Sequence, residues 1–518
     1  MSECKTTEKN NIQQYMKPIT TIFILLIVFS CRQNKPEKGY LGVVNIHISG
    51  KESALPYFEK GLLLLHSFEY EDAREAFKGA QAEDPNMAMA YWGEAMTYNH
   101  GLWAEQDYED AVAALIPLKD IDLKKQATEL EQDFIKSVQI LYQPNMPKPE
   151  RDVAYAGFMG DLSKKYPVNH EVAAFYALSL LGSVPERDYD VYGKSALIAE
   201  SVLQENPNHP GALHYLIHSY DDPNHASLAL NAANAYAKVA PDASHALHMP
   251  SHIYLAMGMW DEVISSNINS YQASLNRMER KKLDNDARGY HSFHRLEYGY
   301  LQKENKDEAK KMVFQMTQYA SEKPSKRGRS HLVFLKGTYL VETNDWGNEI
   351  VDIPINISDL NVSIRSQYHF LEGMKAFKKG DIKQLDSVID IMTVDFKRES
   401  YVISNANIKL CSSVTRDEAT QTDLIESQIR QKQLQALRET LLQNNMLAEE
   451  YFLKSIALDE SIIYAFGPPS VQKPTRELYA DWLLHLKRNA DATAQYTLTL
   501  NKNPKRILAL QGIEKAVE

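Results

Sequence analysis

Apolar and polar residues along YFEKGLLLLHSFEYEDAREAFKGAQAEDPN (57–86) have the spacing of two antiparallel helices. Small residues let the two helices approach closely, a phenylalanine fills the space between neighbouring hairpins, and a proline ends the second helix. The positions concerned are Gly61, Ala73, Phe77, Ala80 and Pro85. Strand signals are scarce along the whole chain, so the pattern predicts a nearly all-helical protein built from hairpins.

The hairpin pattern recurs along the chain. Pro207 and Pro241 lie 34 residues apart, and Ala229 and Ala233 take the small positions between them. Near the C-terminus the same spacing returns at Ala492, Tyr496 and Pro504. In these features the chain resembles tetratricopeptide-repeat (TPR) proteins. The resemblance implies an all-α fold, a right-handed superhelical solenoid of TPR-like helical hairpins.

This resemblance divides the chain into two repeat regions. Residues 52–345 are expected to form an N-terminal TPR-like solenoid and residues 366–518 a C-terminal TPR-like helical region. The β-branched stretch at 351–364 predicts an irregular connection between them, with bounds at 346–365. Residues 395–445, rich in Gln, Glu and Leu, predict a helical insertion within the second region.

The N-terminal segment has the layout of a secretory signal. A lysine and an apolar run, too short to span a bilayer comfortably, precede Ser30-Cys31. This ending resembles a bacterial lipobox, so residues 1–31 are predicted to be a signal peptide, with Met16 as an alternative start. The resemblance implies cleavage before Cys31 and acylation of Cys31, followed by a tether at 32–51. The predicted location is the bacterial cell envelope, lipid-anchored, periplasmic or surface-exposed.

Composition narrows the classes of function. The net charge of -11 argues against nucleic acid as a partner, since nucleic-acid binding needs a basic face. The 3 cysteines, Cys4, Cys31 and Cys411, are spaced neither as a disulfide framework nor as a zinc motif.

Of the 16 histidines, eight lie between residues 214 and 294, and seven of these eight follow the repeat frame. In the repeat frame they occupy positions 2, 5 and 9 of the first helix of three successive units, and these positions share one helix face. In TPR proteins that face lines the concave groove, so the resemblance implies a ligand groove that also includes Trp92. The histidines are His214, His218, His245, His248, His252, His291 and His294. Pro250 falls inside one of these helices and predicts a late start or a bend.

Three interpretations of the histidines remain open. Neutral imidazoles at i,i+4 suit a transition metal such as zinc, copper, nickel or iron. The expected ligands are His214, His218, His248, His252 and His294, with Asp221 or Asp222 as a further ligand or Asp221 as a partner that orients an imidazole. The same groove could instead bind a carboxylate or a peptide, with histidines as donors. Alternatively, the histidines only pack the inner face of the solenoid.

The resemblance implies a membrane-tethered binding or scaffold protein that recognises a protein or peptide partner in a histidine-lined groove. The alternative is a transition-metal-binding protein, or a metal-dependent enzyme, that uses the same histidines. The sequence has no H-E-x-x-H and no nucleophile paired with a histidine, so catalysis is the less favoured expectation.

Overall fold

The computed structural model describes residues 40–103, 105–184, 187–402, 419–464 and 466–517. Lys38–Glu518 forms one compact unit. The predicted signal peptide at 1–31, the alternative start at Met16 and the lipidation site at Cys31 lie outside the described residues, as does Cys411. Among the described residues, no helix has both the length and the apolar character needed to cross a bilayer.

The first half of the described chain consists of short and medium helices. They are α1 Leu55–His66, α2 Tyr70–Glu83, α3 Ala88–Met96, α4 Tyr108–Leu115, α5 Leu123–Gln126, α6 Glu129–Leu141, α7 Lys148–Lys165, α8 His170–Ser183, α9 Tyr189–Glu205, α10 Pro210–Ser219, α11 Leu230–Val239, α12 Ser244–His248 and α13 Pro250–Ala256. One antiparallel pair of two-residue strands, β1 Asn99–His100 and β2 Glu105–Gln106, follows α3.

Longer helices dominate the second half. They are α14 Trp260–Lys281, α15 Tyr290–Gln302, α16 Lys306–Glu322, α17 Lys326–Thr343, α18 Val362–Lys379, α19 Ile382–Val402, α20 Gln421–Leu441, α21 Asn445–Ser461, α22 Thr475–His485, α23 Asn489–Lys502 and α24 Ile507–Val517. The fold is therefore an all-α helical repeat of TPR-like hairpins, as the sequence predicts.

The first hairpin shows why its small residues are needed. A Cβ added at Gly61 would come within 2.8 Å of the Phe77 ring, and one added at Gly93 within 2.3 Å. Phe77 is fully buried between α1, α2 and α3, as are Ala73 and Ala80. Only hydrogen at these two glycines leaves room for the ring that joins one hairpin to the next.

The N-terminal hairpin packs against helices far along the chain. α1 contacts α10, and α2 is joined to α14 by ion pairs. Asp72 accepts hydrogen bonds from Arg277 Nε at 2.9 Å and from Lys281 Nζ at 2.8 Å. These contacts hold α1 against α10 and α2 against α14.

The two stretches that depart from the repeat pattern have the following structure. α17 ends before Asn344, which has a positive φ of 51°, and a short 3-10 helix at Glu349–Asp352 precedes α18. Farther along, α20 packs between α18 and α21. Residues 403–418, inside the predicted insertion, lie outside the described part of the chain.

Candidate functional site: a buried histidine centre

Helices α10, α12, α13 and α15 carry the seven histidines that the repeat frame predicts on one face. The helix is interrupted at Pro250, where α12 has ended at His248 and α13 begins. Met249 between them keeps helical backbone angles, with φ −54° and ψ −37°. The interruption therefore leaves His252 on the same side of the repeats as the histidines of α12, within contact of His248.

His214, His218 and His245 form what we call the first triad. One ligand nitrogen of each ring lies within 4.8 Å of the other two. Nε2 of His218 lies 3.1 Å from Nε2 of His214. Phe68, from the turn between α1 and α2, covers this triad, with its ring centroid 4.3 Å from that of His214 and 5.7 Å from that of His245. The α1–α2 turn thus closes one side of the site.

His248, His252 and His291 form the second triad. Here too, one ligand nitrogen of each ring lies within 4.8 Å of the other two. Nε2 of His252 lies 3.2 Å from Nε2 of His248. The two triads adjoin each other. Ring centroids are 6.0 Å apart for His218 and His252, and 6.1 Å apart for His245 and His248. The six imidazoles therefore form one continuous cluster, which we call the histidine centre.

Hydrogen bonds on the outer side of the rings determine which nitrogens face inward. Nδ1 of His214 lies 2.8 Å from the backbone oxygen of His66, and Nδ1 of His248 lies 2.7 Å from Oδ1 of Asn267. Both oxygens only accept, so both Nδ1 atoms carry the proton and both Nε2 atoms keep their lone pairs. The Asn267 amide is itself oriented, because its Nδ2 donates to the Val263 carbonyl at 2.8 Å.

Asp221 orients the ring of His252 through a hydrogen bond on its outer side. Its Oδ2 lies 2.5 Å from Nδ1 of His252, and both side chains are buried. Burial raises the pKa of Asp221 to about 7, against the lowering effect of Arg187 and Arg295. With the carboxylate ionised, His252 donates from Nδ1 and directs the lone pair of Nε2 towards His248.

Burial keeps three imidazoles of the centre neutral. The exposed fraction is 0% for His214, 2% for His248 and 7% for His252. Loss of solvation lowers the pKa of each of these three imidazoles well below the ordinary value, and the nearby charge of Arg295 lowers the pKa of His248 and His252 further. At neutral pH these three rings are therefore uncharged, which is the protonation state that a metal ligand requires.

Two residues of the predicted groove lie elsewhere. His294 belongs to neither triad; its Nε2 pairs with Oγ1 of Thr338 at 2.9 Å, and its ring stacks on Phe334. Trp92 is 1% exposed and packs edge-on against Phe134 and Phe175 in the core. His245 and His291, predicted only for the groove, complete the two triads instead.

A third group of possible ligands, His66, Glu171 and His209, is fully buried but already satisfied. Glu171 pairs with Nε2 of His66 at 2.8 Å and with Nε2 of His209 at 3.1 Å. Nδ1 of His209 accepts from the backbone N–H of Ala212, so the Nε2 of His209 must donate to the carboxylate. Burial alone would raise the pKa of Glu171, but His209 and His66 hold it well below its usual range. This group holds α1, α8 and α10 together, and the backbone oxygen of His66 then orients His214.

Sequence reasoning missed Asn267, Arg295 and the His66 carbonyl as parts of the site. Asn267 lies in the middle of α14, and Arg295 on α15 contacts His248 and His291. Neither belongs to a recognisable motif. For Arg295 one signal exists in hindsight, since a buried face of α15 that already holds histidines also places an arginine four residues after His291.

Comparisons with known proteins give no family for this chain. No protein-family model matches the sequence, and no curated protein matches it either. Solved structures that resemble it include the anaphase-promoting-complex hetero-tetramer Cut9–Hcn1 (13% identity, 93% of this chain and 78% of that chain, TM-score 0.34), the human IFIT1 dimer with m7Gppp-AAAA (12%, 91% and 91%, TM-score 0.35) and yeast Tom70 (11%, 90% and 88%, TM-score 0.32). Likeness at these TM-scores supplies no argument about function.

Proposed function

We propose that the histidine centre binds transition-metal ions. The observation that carries this proposal is the orientation of His248 and His252. Both rings bond outward through Nδ1, to Asn267 and Asp221, and their Nε2 atoms face each other at 3.2 Å. Two lone pairs at this separation repel unless a cation lies between them. Two imidazole ligands of a tetrahedral zinc ion are about 3.3 Å apart, from metal–nitrogen distances of ~2.0–2.1 Å.

The donor set favours borderline transition metals. All six ligands are imidazoles, a donor type that suits zinc, copper, nickel and iron rather than calcium or magnesium. Asp221 and Asn267 supply the outer hydrogen bonds that typically orient metal-bound histidines. A bound ion of this kind supplies Lewis-acid or redox chemistry, and the chain's own residues position it. The proposal extends to metal binding only.

Replacing one histidine in each triad is expected to abolish metal binding. His218→Ala combined with His291→Ala removes the less buried members and leaves each triad with two ligands. Purified without a histidine tag or chelator and then supplied with Zn²⁺, the unmodified chain should retain about one equivalent per loaded triad, and the double variant almost none. Mass spectrometry of the metal content measures this directly.

The matched control replaces two histidines outside both triads, His170 and His225. This control should keep the metal content of the unmodified chain. Absence of bound Zn²⁺, Cu²⁺ and Ni²⁺ from the unmodified chain, with circular dichroism showing a folded protein, would refute the proposal.

Asp221→Asn is expected to weaken metal binding by about 10–100-fold, the usual effect of losing an outer partner of a ligand histidine. The amide is similar in shape but carries no charge with which to hold the Nδ1–H of His252. Chelator competition gives the dissociation constant. Asp222→Asn is the control, since Asp222 accepts from Nδ1 of His225 at 2.9 Å and that histidine lies outside both triads. Equal weakening in the two variants would contradict a specific role for Asp221.

Binding of a protein or peptide partner is a second proposal, and it moves away from the histidines. A peptide in an open groove could not touch His214 while Phe68 covers it, and His248 is itself only 2% exposed. A cavity of about 880 Å³ between α15, α17, α18, α20, α22 and α24 offers a separate surface, lined by Leu301, Phe377 and Trp482 together with charged residues. We propose this cavity as the site for an extended segment of a partner.

Lipid anchoring through Cys31 and a place in the bacterial envelope stay predictions of the sequence.

A further inference from the structure

The second triad already holds a positively charged group. The Nη1 atom of Arg295 lies 3.0 Å from Nε2 of His248 and also donates to Nε2 of His291. These are the nitrogens that the second triad would offer to a metal ion. The guanidinium is 2% exposed, so its charge is poorly screened by water. In the metal-free protein Arg295 therefore serves as an internal cation for this triad.

The first triad, by contrast, has no arginine or lysine bonded to the ring nitrogens of His214, His218 or His245 among the described residues. Nε2 of His245 is buried and has no hydrogen-bond partner within the described part of the chain. A metal ion entering this triad finds an unused lone pair and has no cation to displace.

We propose that the two triads load unequally, the first binding a metal ion directly and the second only when Arg295 leaves. This inference rests on the proposed metal-binding function and adds to it an order of loading and the residue that sets it. Arg295 and a divalent ion cannot share the Nε2 atoms of His248 and His291, because each nitrogen has one lone pair and the two cations repel.

Withdrawal of Arg295 also has a structural cost. Nη2 of Arg295 donates to the backbone oxygen of Phe466 in the loop between α21 and α22. Gly467 lies against the same group, since a Cβ there would be 3.1 Å from Nη2. Phe466 itself has a positive φ of 54°. Loading of the second triad thus breaks a contact that holds this loop, which links the metal content of the centre to the position of residues 466–474.

Calorimetric titration of the full chain with Zn²⁺ alone tests the order. We expect one tight site and a second site at least about tenfold weaker, ~1.4 kcal/mol. Arg295→Met keeps an unbranched apolar stem and removes the guanidinium with its charge, so it should tighten the second site by about tenfold or more and leave the first nearly unchanged. Arg327→Met is the control; Arg327 lies close to His331 and contacts neither triad.

Single-triad variants test the same point without altering Arg295. His291→Ala should leave only the tight site, and His218→Ala only the weak one. Two equal sites in the unmodified chain, an unchanged second site in Arg295→Met, or equal affinities in the two histidine variants would each overturn the inference while leaving metal binding intact. No Zn²⁺ binding in any of these proteins would instead overturn the proposed function itself.

Discussion

Arg506→Met should lower the free energy of unfolding by about 3–5 kcal/mol, the usual result of removing one member of a buried ion pair. Arg506 is completely buried just before α24 and donates to both oxygens of Glu477, from Nε at 2.7 Å and from Nη2 at 3.1 Å. Nη1 reaches Glu342 at 2.5 Å and the Tyr298 hydroxyl at 3.1 Å. The substitution would leave Glu342 without its positive charge and Glu477 with Lys473 alone.

The lowered pKa of Glu477 also indicates that its ion pair with Arg506 stabilises the fold. Burial alone would raise it, but Arg506 and Lys473 bring the pKa of Glu477 down to about 2. A carboxyl with a lowered folded-state pKa stabilises the fold above its unfolded pKa of about 4.5, and this contribution is lost as pH falls towards 2. Arg506→Met should therefore flatten the acid side of the stability profile as well as lower it.

Denaturant unfolding followed by circular dichroism measures the Arg506 effect. Gln511→Ala is the matched control, because Gln511 lies on α24, the helix that follows Arg506, and its hydrogen bond to Glu304 is exposed. It should change the unfolding free energy by no more than about 0.5 kcal/mol. A loss below about 1 kcal/mol in Arg506→Met would show that its carboxylate partners are neutral or rehydrated.

Phe77→Ala should lower the free energy of unfolding by a similar amount, about 3–5 kcal/mol, because removal of a fully buried ring leaves a cavity. The ring packs against the α-carbons of Gly61 and Gly93 and lies edge-on to Phe58, with centroids 5.6 Å apart. No neighbouring side chain at the two glycines can move in to fill the space. The same denaturant measurement applies to this variant.

Phe314→Ala is the control for the phenylalanine change. Phe314 lies on α16 with 41% of its surface exposed. Its removal should alter stability by no more than about 0.5 kcal/mol. If Phe77→Ala proved equally mild, the first hairpins would have to repack around the missing ring, contrary to the tight contacts at both glycines.

The sequence was sufficient to predict the hairpins because their determinants are local. Gly61, Phe77 and Ala80 act within one repeat, and their spacing is visible in the printed chain. The same frame predicted that the histidines share a face, and six of them lie together in the structure. Side-chain spacing along a helix determines such a face without any tertiary information.

The closed shape of the site could not be predicted in this way. A 34-residue frame states which face a residue takes, but the pitch of the solenoid depends on small angles that add up over many repeats. It is this pitch that brings Phe68 onto His214 and the His66 carbonyl onto its Nδ1. His294 is a second example. The repeat frame predicted its helix face correctly, but only the tertiary structure shows that its side chain pairs with Thr338 on α17 and not with the other histidines.

The hydrogen bond from His214 to the carbonyl of His66 spans 148 residues of sequence. His291 and Arg295 lie a further 77 and 81 residues beyond His214. The histidine centre can therefore be complete only after α15 has been synthesised, and the ring of His214 is oriented only once α10 has docked on α1. Metal binding would therefore require that the N-terminal and central repeats have already packed together. The metal ion would bind after these repeats have folded and would not nucleate their folding.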